Sequence, residues 1–375
     1  MKIAIIVRVL WPGGVQRIAF AETNGLLKLG HKVDLIFIRD TGRLHYPGDV
    51  PSRVLFDSSI RNRILGRIFK RITHIYSPQR GDDATIDIDL IRKAEKSLKG
   101  NYDIIYYFDE ISAFFSRRNK KKYGHKVIVL IHEVYLDEGP FLQRFLQRRA
   151  IKSADLVLTN TKYNLEKIKY HGYDNVYELY PGLYINDEVP NFDSRTNIAI
   201  SVTMWDFGRN PETLIEIASK LRTGKIIICG DWTDYNYMNK MRNIIKQMDL
   251  DEKIEITGPI DEEEMLNYYK DAKVALRFGY NEKGPGMGSL EALCWGIPLI
   301  INEGIGSREI IENNKSGFIV DESDPNMVAN LIESLFKNKF LWEKISSESL
   351  KKSLSLSWDF HNRKLGELID TLKGK

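Results

Sequence analysis

The feature that most restricts this chain is a rhythm. Short β-rich runs, apolar on successive residues, alternate with helical patterns through both halves. In the first half the runs fall at 3–9, 33–38, 104–108, 127–131 and 156–158; in the second they fall at 198–202, 226–229, 254–256, 274–278 and 298–301. A strand with one face in water alternates apolar and polar side chains. A strand covered on both faces is apolar throughout, as in parallel sheets flanked by helices. Helical patterns at 211–221, 238–248 and 324–336 lie between the runs. The expected fold class is therefore α/β, with two Rossmann-like, doubly wound parallel sheets.

At 375 residues the chain is long enough for two such domains. Turn formers crowd the stretch 181–193 (Pro181, Gly182, Asn186, Asp187, Pro190, Asn191), which predicts domains at 1–185 and 190–357. The charge changes sign there too. Lys and Arg outnumber Asp and Glu 31 to 22 over residues 1–190, and are outnumbered 24 to 29 thereafter. The basic half is expected to meet something anionic. A helix is predicted at 358–372, after a Ser-rich stretch at 353–357.

The only cysteines, Cys229 and Cys294, sit in separate apolar segments. That excludes a disulfide framework and a cysteine zinc site, and predicts two buried thiols. The N-terminal apolar run 3–10 is broken by Arg8, unlike a signal peptide, and no window approaches the ~20 apolar residues of a membrane span. The expected location is cytoplasmic, with peripheral attachment to the cytoplasmic face of a membrane as the variant. Residues 60–76 form a basic amphipathic pattern and 117–126 a second basic cluster, which together fit an anionic membrane surface. An ordinary helix packed on the sheet reads the same way. Nucleic acid is excluded as a partner, because the basic clusters lack interleaved aromatics.

Three places could carry chemistry. Gly13 and Gly14 follow the first strand and open a helix, where a ligand can approach the backbone. His132, with Glu133 beside it, ends the run 127–131, and ligands of open α/β sheets bind outside the carboxyl ends of strands. A histidine there can donate to a substrate hydroxyl or phosphate. The third place is Gly284-Pro285-Gly286-Met287-Gly288-Ser289-Leu290-Glu291, glycines at alternate positions before a helix. Its N–H groups suit a diphosphate, and Glu291 can accept hydrogen bonds from ribose hydroxyls.

In this order the pieces resemble a retaining glycosyltransferase of family 4 with the GT-B fold, over essentially the whole chain and most closely over 253–334. The resemblance implies two domains facing a cleft, with the helix of 358–375 packing back on the first. It implies transfer of a hexosyl group from a nucleotide sugar, UDP- or GDP-linked, to a glycan or lipid-linked acceptor, with retention and without a metal or other cofactor. It assigns Glu291 to the ribose and Gly286, Met287, Gly288 and Ser289 to the diphosphate and sugar. Gly258, Pro259 and Ile260 would receive the base, Gly13 and Gly14 would close over the diphosphate, and His132 would contact the donor sugar.

The sequence departs from the family at three positions. Eight residues before Glu291, where the family has a glutamate, stands Lys283; Glu282 is its neighbour, so the carboxylate is displaced by one residue. Met204 replaces an arginine expected to clamp the diphosphate, and Arg209 stands for a lysine. One reading is compensation, with the lost cation regained at Lys283 or Arg277. Lys283→Ala then lowers turnover more than Met204→Ala, because a cation beside a leaving diphosphate stabilises the charge that develops there. The alternatives are a non-catalytic subunit of a glycan-assembly complex and a nucleotide-sugar epimerase of the same fold.

Overall fold

The structure, a computed structural model, describes residues 1–10, 14–40, 50–57, 88–98, 102–139, 141–186, 188–280, 282 and 284–373. The expectations for Gly13, Lys283 and the segment 60–76 fall outside these residues.

The chain divides into two compact units, Met1–Gly182 with Trp358–Lys375, and Leu183–Ser357. In the first, strands β1 (Lys2–Leu10), β2 (Lys32–Asp40), β3 (Ser52–Phe56), β4 (Ile104–Tyr107), β5 (Lys126–Ile131), β6 (Leu156–Thr159) and β7 (Val176–Glu178) form a parallel sheet in the order β3-β2-β1-β4-β5-β6-β7. Its helices are α1 (Gly14–Lys28), α2 (Ile88–Ser97), α3 (Ser116–Tyr123), α4 (Phe141–Ser153), α5 (Lys162–Tyr170) and, from the far end of the chain, α12 (Trp358–Asp370). Two apolar clusters line the two faces of this sheet. One gathers Ile6, Ile105, Val129 and Val157 with α2 and α4. The other gathers Ile5, Tyr106, Ile128 and Leu158 with α1 and α12.

In the second unit β8 (Thr196–Val202), β9 (Lys225–Cys229), β10 (Ile254–Gly258), β11 (Ala272–Arg277), β12 (Leu299–Asn302) and β13 (Phe318–Val320) run in the order β10-β9-β8-β11-β12-β13, again all parallel. They are covered by α6 (Pro211–Lys220), α7 (Tyr235–Gln247), α8 (Glu262–Asp271), α9 (Met287–Cys294), α10 (Pro325–Lys337) and α11 (Lys339–Leu354). Central strands such as β5 are buried from Val127 to Ile131, which accounts for their unbroken apolar runs. The sequence reading passed over β3, β7 and β13, which are all at sheet edges. In β3 and β7 exposure interrupts the apolar run, with β3 exposed or half-exposed throughout, whereas β13 is an apolar triplet of only three residues.

Cys229 and Cys294 are buried, and burial pushes both thiols up to about 12. Just after β9, Trp232 is buried and stacks on Trp205 at 5.7 Å. Among the described residues no helix is long and apolar enough to cross a membrane.

Candidate functional site

In each sheet the strand order reverses beside the first strand of the unit, between β1 and β4 and between β8 and β11. Connections leave such a switch point in opposite directions and open a crevice at the carboxyl ends. Of the described candidate residues, Gly14 falls at the first point and Arg209, Arg277 and Gly286–Ser289 at the second, while Gly258, Pro259 and Ile260 follow the edge strand β10.

In the second unit three loops converge at the carboxyl ends of β8, β11 and β12. The first is the turn after β8. Asp206 accepts the Gly208 N–H at 2.8 Å, and Asn210, left-handed at φ 50°, leads into Pro211 at the first position of α6. This local folding sets the position of Arg209. Met204 stands in the same turn, half-buried. The second lies between β11 and α9, described at 278–280, 282 and 284–286. Tyr280 N–H donates to Gly208 O at 2.9 Å, tying it to the first. The third follows β12: Asn302 Nδ2 donates to Gly279 O at 2.9 Å, and Ser307 Oγ meets Ser289 Oγ at 2.9 Å in the interior.

Glycine is required where these loops touch. A Cβ on Gly288 would lie 2.3 Å from Val202 O, and one on Gly306 would lie 2.3–2.6 Å from the backbone of Gly284. No side chain fits at such distances, so α9 starts directly against the end of β8.

Gly286 caps α9 without a side-chain partner. The N–H groups of Ser289 and Leu290 turn back to its carbonyl, and those of Met287 and Gly288 take no acceptor among the described residues. A helix start of this kind, at a switch point, attracts an anion. Glu291 lies one turn into α9, half-buried, and its Oε2 accepts the Tyr269 hydroxyl at 2.8 Å. Glu282 does not stand as an isolated carboxylate. Its Oε2 takes Arg209 Nη1 at 3.0 Å and Arg277 Nε at 2.9 Å. At the end of β10, Gly258 adopts φ +78° and its carbonyl accepts the Gly230 N–H, with Pro259 exposed and Ile260 half-buried beyond it.

In the first unit Gly14 opens α1 directly after β1, and Arg8 near the end of β1 lies 3.5 Å from Asp109, just past β4. His132 follows β5. Its Nε2 lies 2.9 Å from Phe108 O, and Asn164 Nδ2 donates to its carbonyl. A carbonyl only accepts, so Nε2 carries the proton. Burial lowers the ring's pKa, against the pull of Asp109 and the Phe108 carbonyl. The neutral ring thus presents Nδ1 as an acceptor, where the sequence suggested a donor. Glu133 is engaged by the Tyr135 hydroxyl.

Tyr269, Asn302 and Ser307 organise the second-unit site and were not singled out from the sequence. Tyr269 is 22 residues from Glu291 on another helix, and no local pattern links the two. The basic cluster of α3 is in place. Arg117, Arg118, Lys121 and Lys122, with Arg149 of α4, line an open cavity of about 500 Å³, while Lys120 pairs with Asp155.

Two family profiles match consecutive parts of the chain: "Glycosyltransferase Family 4" over residues 12–185 and "Glycosyl transferases group 1" over residues 185–352. The chain thus carries two consecutive glycosyltransferase family domains. Among curated members, D-inositol 3-phosphate glycosyltransferase of Corynebacterium jeikeium (strain K411) is 21% identical over 258 residues, covering 62% of this chain and 61% of that one. Sucrose synthase 2 of Arabidopsis thaliana is 27% identical over 226 residues, covering 54% of this chain and 28% of that one. The match thus spans about three fifths of the inositol-phosphate enzyme and less of sucrose synthase. Of solved GT-B structures, Anabaena HepE with UDP and glucose superposes with a TM-score of 0.79 at 15% identity, over 99% of this chain and 100% of that one. Sucrose-phosphate synthase of Thermosynechococcus elongatus gives 0.77 at 16% identity, over 99% of each. These likenesses show the GT-B fold.

Proposed function

We propose that the protein transfers a hexosyl group from a UDP- or GDP-linked donor to a glycan or lipid-linked acceptor, with retention of anomeric configuration and without a metal. The observation that carries this reading is the convergence in the second unit. Arg209 and Arg277, the open first turn of α9 and Glu291 stand at one switch point. Cations and a helix start suit a diphosphate, and an oriented carboxylate suits ribose hydroxyls. The solved complexes of HepE with UDP and with UDP-glucose support a uridine donor. Retention is implied by family 4. In that mechanism the leaving diphosphate takes up the proton of the incoming hydroxyl on the same face of the sugar.

Calorimetric titration with UDP-, GDP-, ADP- and dTDP-sugars tests the reading, with Glu291→Ala as control. Selective binding that the variant loses supports it and names the base. A folded protein that binds none of them supports instead a non-catalytic subunit, the reading that Met204 favours. Products formed from the donor alone, without an acceptor, would identify an epimerase.

The basic cavity of α3 and α4 supports a place at an anionic membrane surface on the cytoplasmic side, where a lipid-linked acceptor would be met. Flotation with anionic vesicles is the test. Salt-sensitive binding is expected, and its absence overturns the membrane reading alone.

A further inference from the structure

Arg277 ends β11 and is only 4% exposed. Its Nε is bound to Glu282, yet its Nη1 is buried with no hydrogen-bond partner among the described residues. Buried polar nitrogens are satisfied as a rule, and a guanidinium with an orphaned N–H points to an acceptor still to come. Arg209 reaches the same carboxylate oxygen, so two guanidiniums share one negative charge.

Glu282 sits where that acceptor would be expected. A Cβ on Gly286 would lie 2.2 Å from Glu282 Oε1 and 3.3 Å from an Arg277 terminal nitrogen. The carboxylate therefore rests directly on the residue that caps α9, at the anion-favouring end of that helix. Its backbone is pinned, because the Gly306 N–H donates to Glu282 O at 2.7 Å. The side chain can leave its seat by rotation alone. Met204, in the turn that also carries Arg209, offers no competing cation.

We propose that Glu282 is an internal stand-in for the donor diphosphate. It holds Arg209 and Arg277 over the first turn of α9 until a nucleoside diphosphate displaces it. Arg277, not a residue of the turn after β8, is the second diphosphate-binding cation of this chain. The proposal rests on the donor-site reading above. It has an asymmetric consequence: removing the carboxylate strengthens diphosphate binding, and removing the arginine weakens it. A glutamate that contacts the donor sugar, or a purely structural ion pair, predicts no gain on removing the carboxylate.

The test is calorimetric titration of inorganic pyrophosphate, of UDP, GDP, ADP and dTDP, and of their nucleosides. The wild-type chain is compared with Glu282→Gln, Arg277→Met, Arg277→Lys and the double variant Met204→Arg/Arg277→Met, with thermal unfolding as the check of folding. Glu282→Gln should bind pyrophosphate about 10-fold more tightly. Arg277→Met should bind it about 10- to 100-fold more weakly, the range of one charge-assisted contact. Arg277→Lys should lose less, the double variant should recover most of the loss, and nucleoside affinity should not change. Unchanged or weaker pyrophosphate binding in Glu282→Gln overturns the proposal. So does a loss in Arg277→Met that is equal for nucleoside and nucleoside diphosphate. Those outcomes leave the donor site standing, whereas a wild-type chain that binds no nucleotide overturns both.

Discussion

The hydroxyl of Tyr269, on α8, donates to Glu291 Oε2, on α9, at 2.8 Å, and Tyr269 is only 1% exposed. The bond fixes one oxygen of the carboxylate that is proposed to take the donor ribose. Tyr269→Phe keeps the ring and removes the restraint. Donor affinity is expected to fall about 5- to 10-fold and stability by about 1 kcal/mol, the net worth of one such bond. Titration of the nucleotide sugar and urea unfolding would check both. A variant that binds donor as well as wild type would remove Tyr269 from the site.

His132 should make both stability and activity sensitive to acid. Burial lowers its pKa from 6.5 in the folded chain, so below about pH 6.5 the unfolded chain binds the extra proton more readily than the folded one. This contribution to stability is complete above 6.5 and is lost as pH falls through the lowered folded value. Protonation also converts Nδ1 from acceptor to donor. The pH profile of kcat/KM should fall on the acid side, and His132→Gln should be slower at neutral pH with that limb flattened. An acid limb identical in the variant would assign it to another group.

Glu95 gives the opposite slope. Burial, against hydrogen bonds from Tyr107 and Asn119 and the nearby Arg149 and Arg118, raises its carboxyl from 4.5 to about 8. Stability from this group is complete below 4.5 and is lost as pH rises from there through 8, because the unfolded chain ionises first. At pH 7 the cost is on the order of 3 kcal/mol by the usual conversion. Glu95→Gln should flatten the decline in Tm between pH 5 and 8. A slope unchanged in the variant would refute this account.

The far end of the chain is secured by one buried pair. Glu22 of α1 and His361 of α12 lie 3.0 Å apart and are both buried, and His361 Nδ1 donates to Tyr180 O at 2.6 Å. Removing one member leaves the other buried without its hydrogen bond, at about 1–3 kcal/mol. Glu22→Ala should therefore lower Tm and speed proteolysis at the C-terminal helix. A change under about 1 kcal/mol would show that apolar packing of Trp358, Leu365 and Ile369 suffices to hold it.

How much could be read in advance varies along the chain in a physically consistent way. β5 and β9 stand in sheet interiors and wrote unbroken apolar runs into the sequence, as did β1 but for Arg8 and β11 but for Lys273 and Arg277. Edge strands β3 and β7 carry exposed residues and left no such run. At the site the glycines before α9 were legible, because close backbone approach admits no other residue. The engagement of Glu282 by Arg209 was not, since 73 positions separate them in sequence.

The sequence by itself determined two doubly wound parallel sheets, two inert thiols and a glycine-rich helix start followed by Glu291. Each follows from period, composition or steric exclusion within a short window. The tertiary structure decided what those residues do together. It brought Tyr269 to Glu291, turned the free nitrogen of His132 into an acceptor, and seated Glu282 between two arginines on Gly286. The physical reason is that charge and hydrogen bonding act through space over a few ångströms. Which groups come that close is set by the packing of helices and loops on the sheet, and no local pattern in the chain records it.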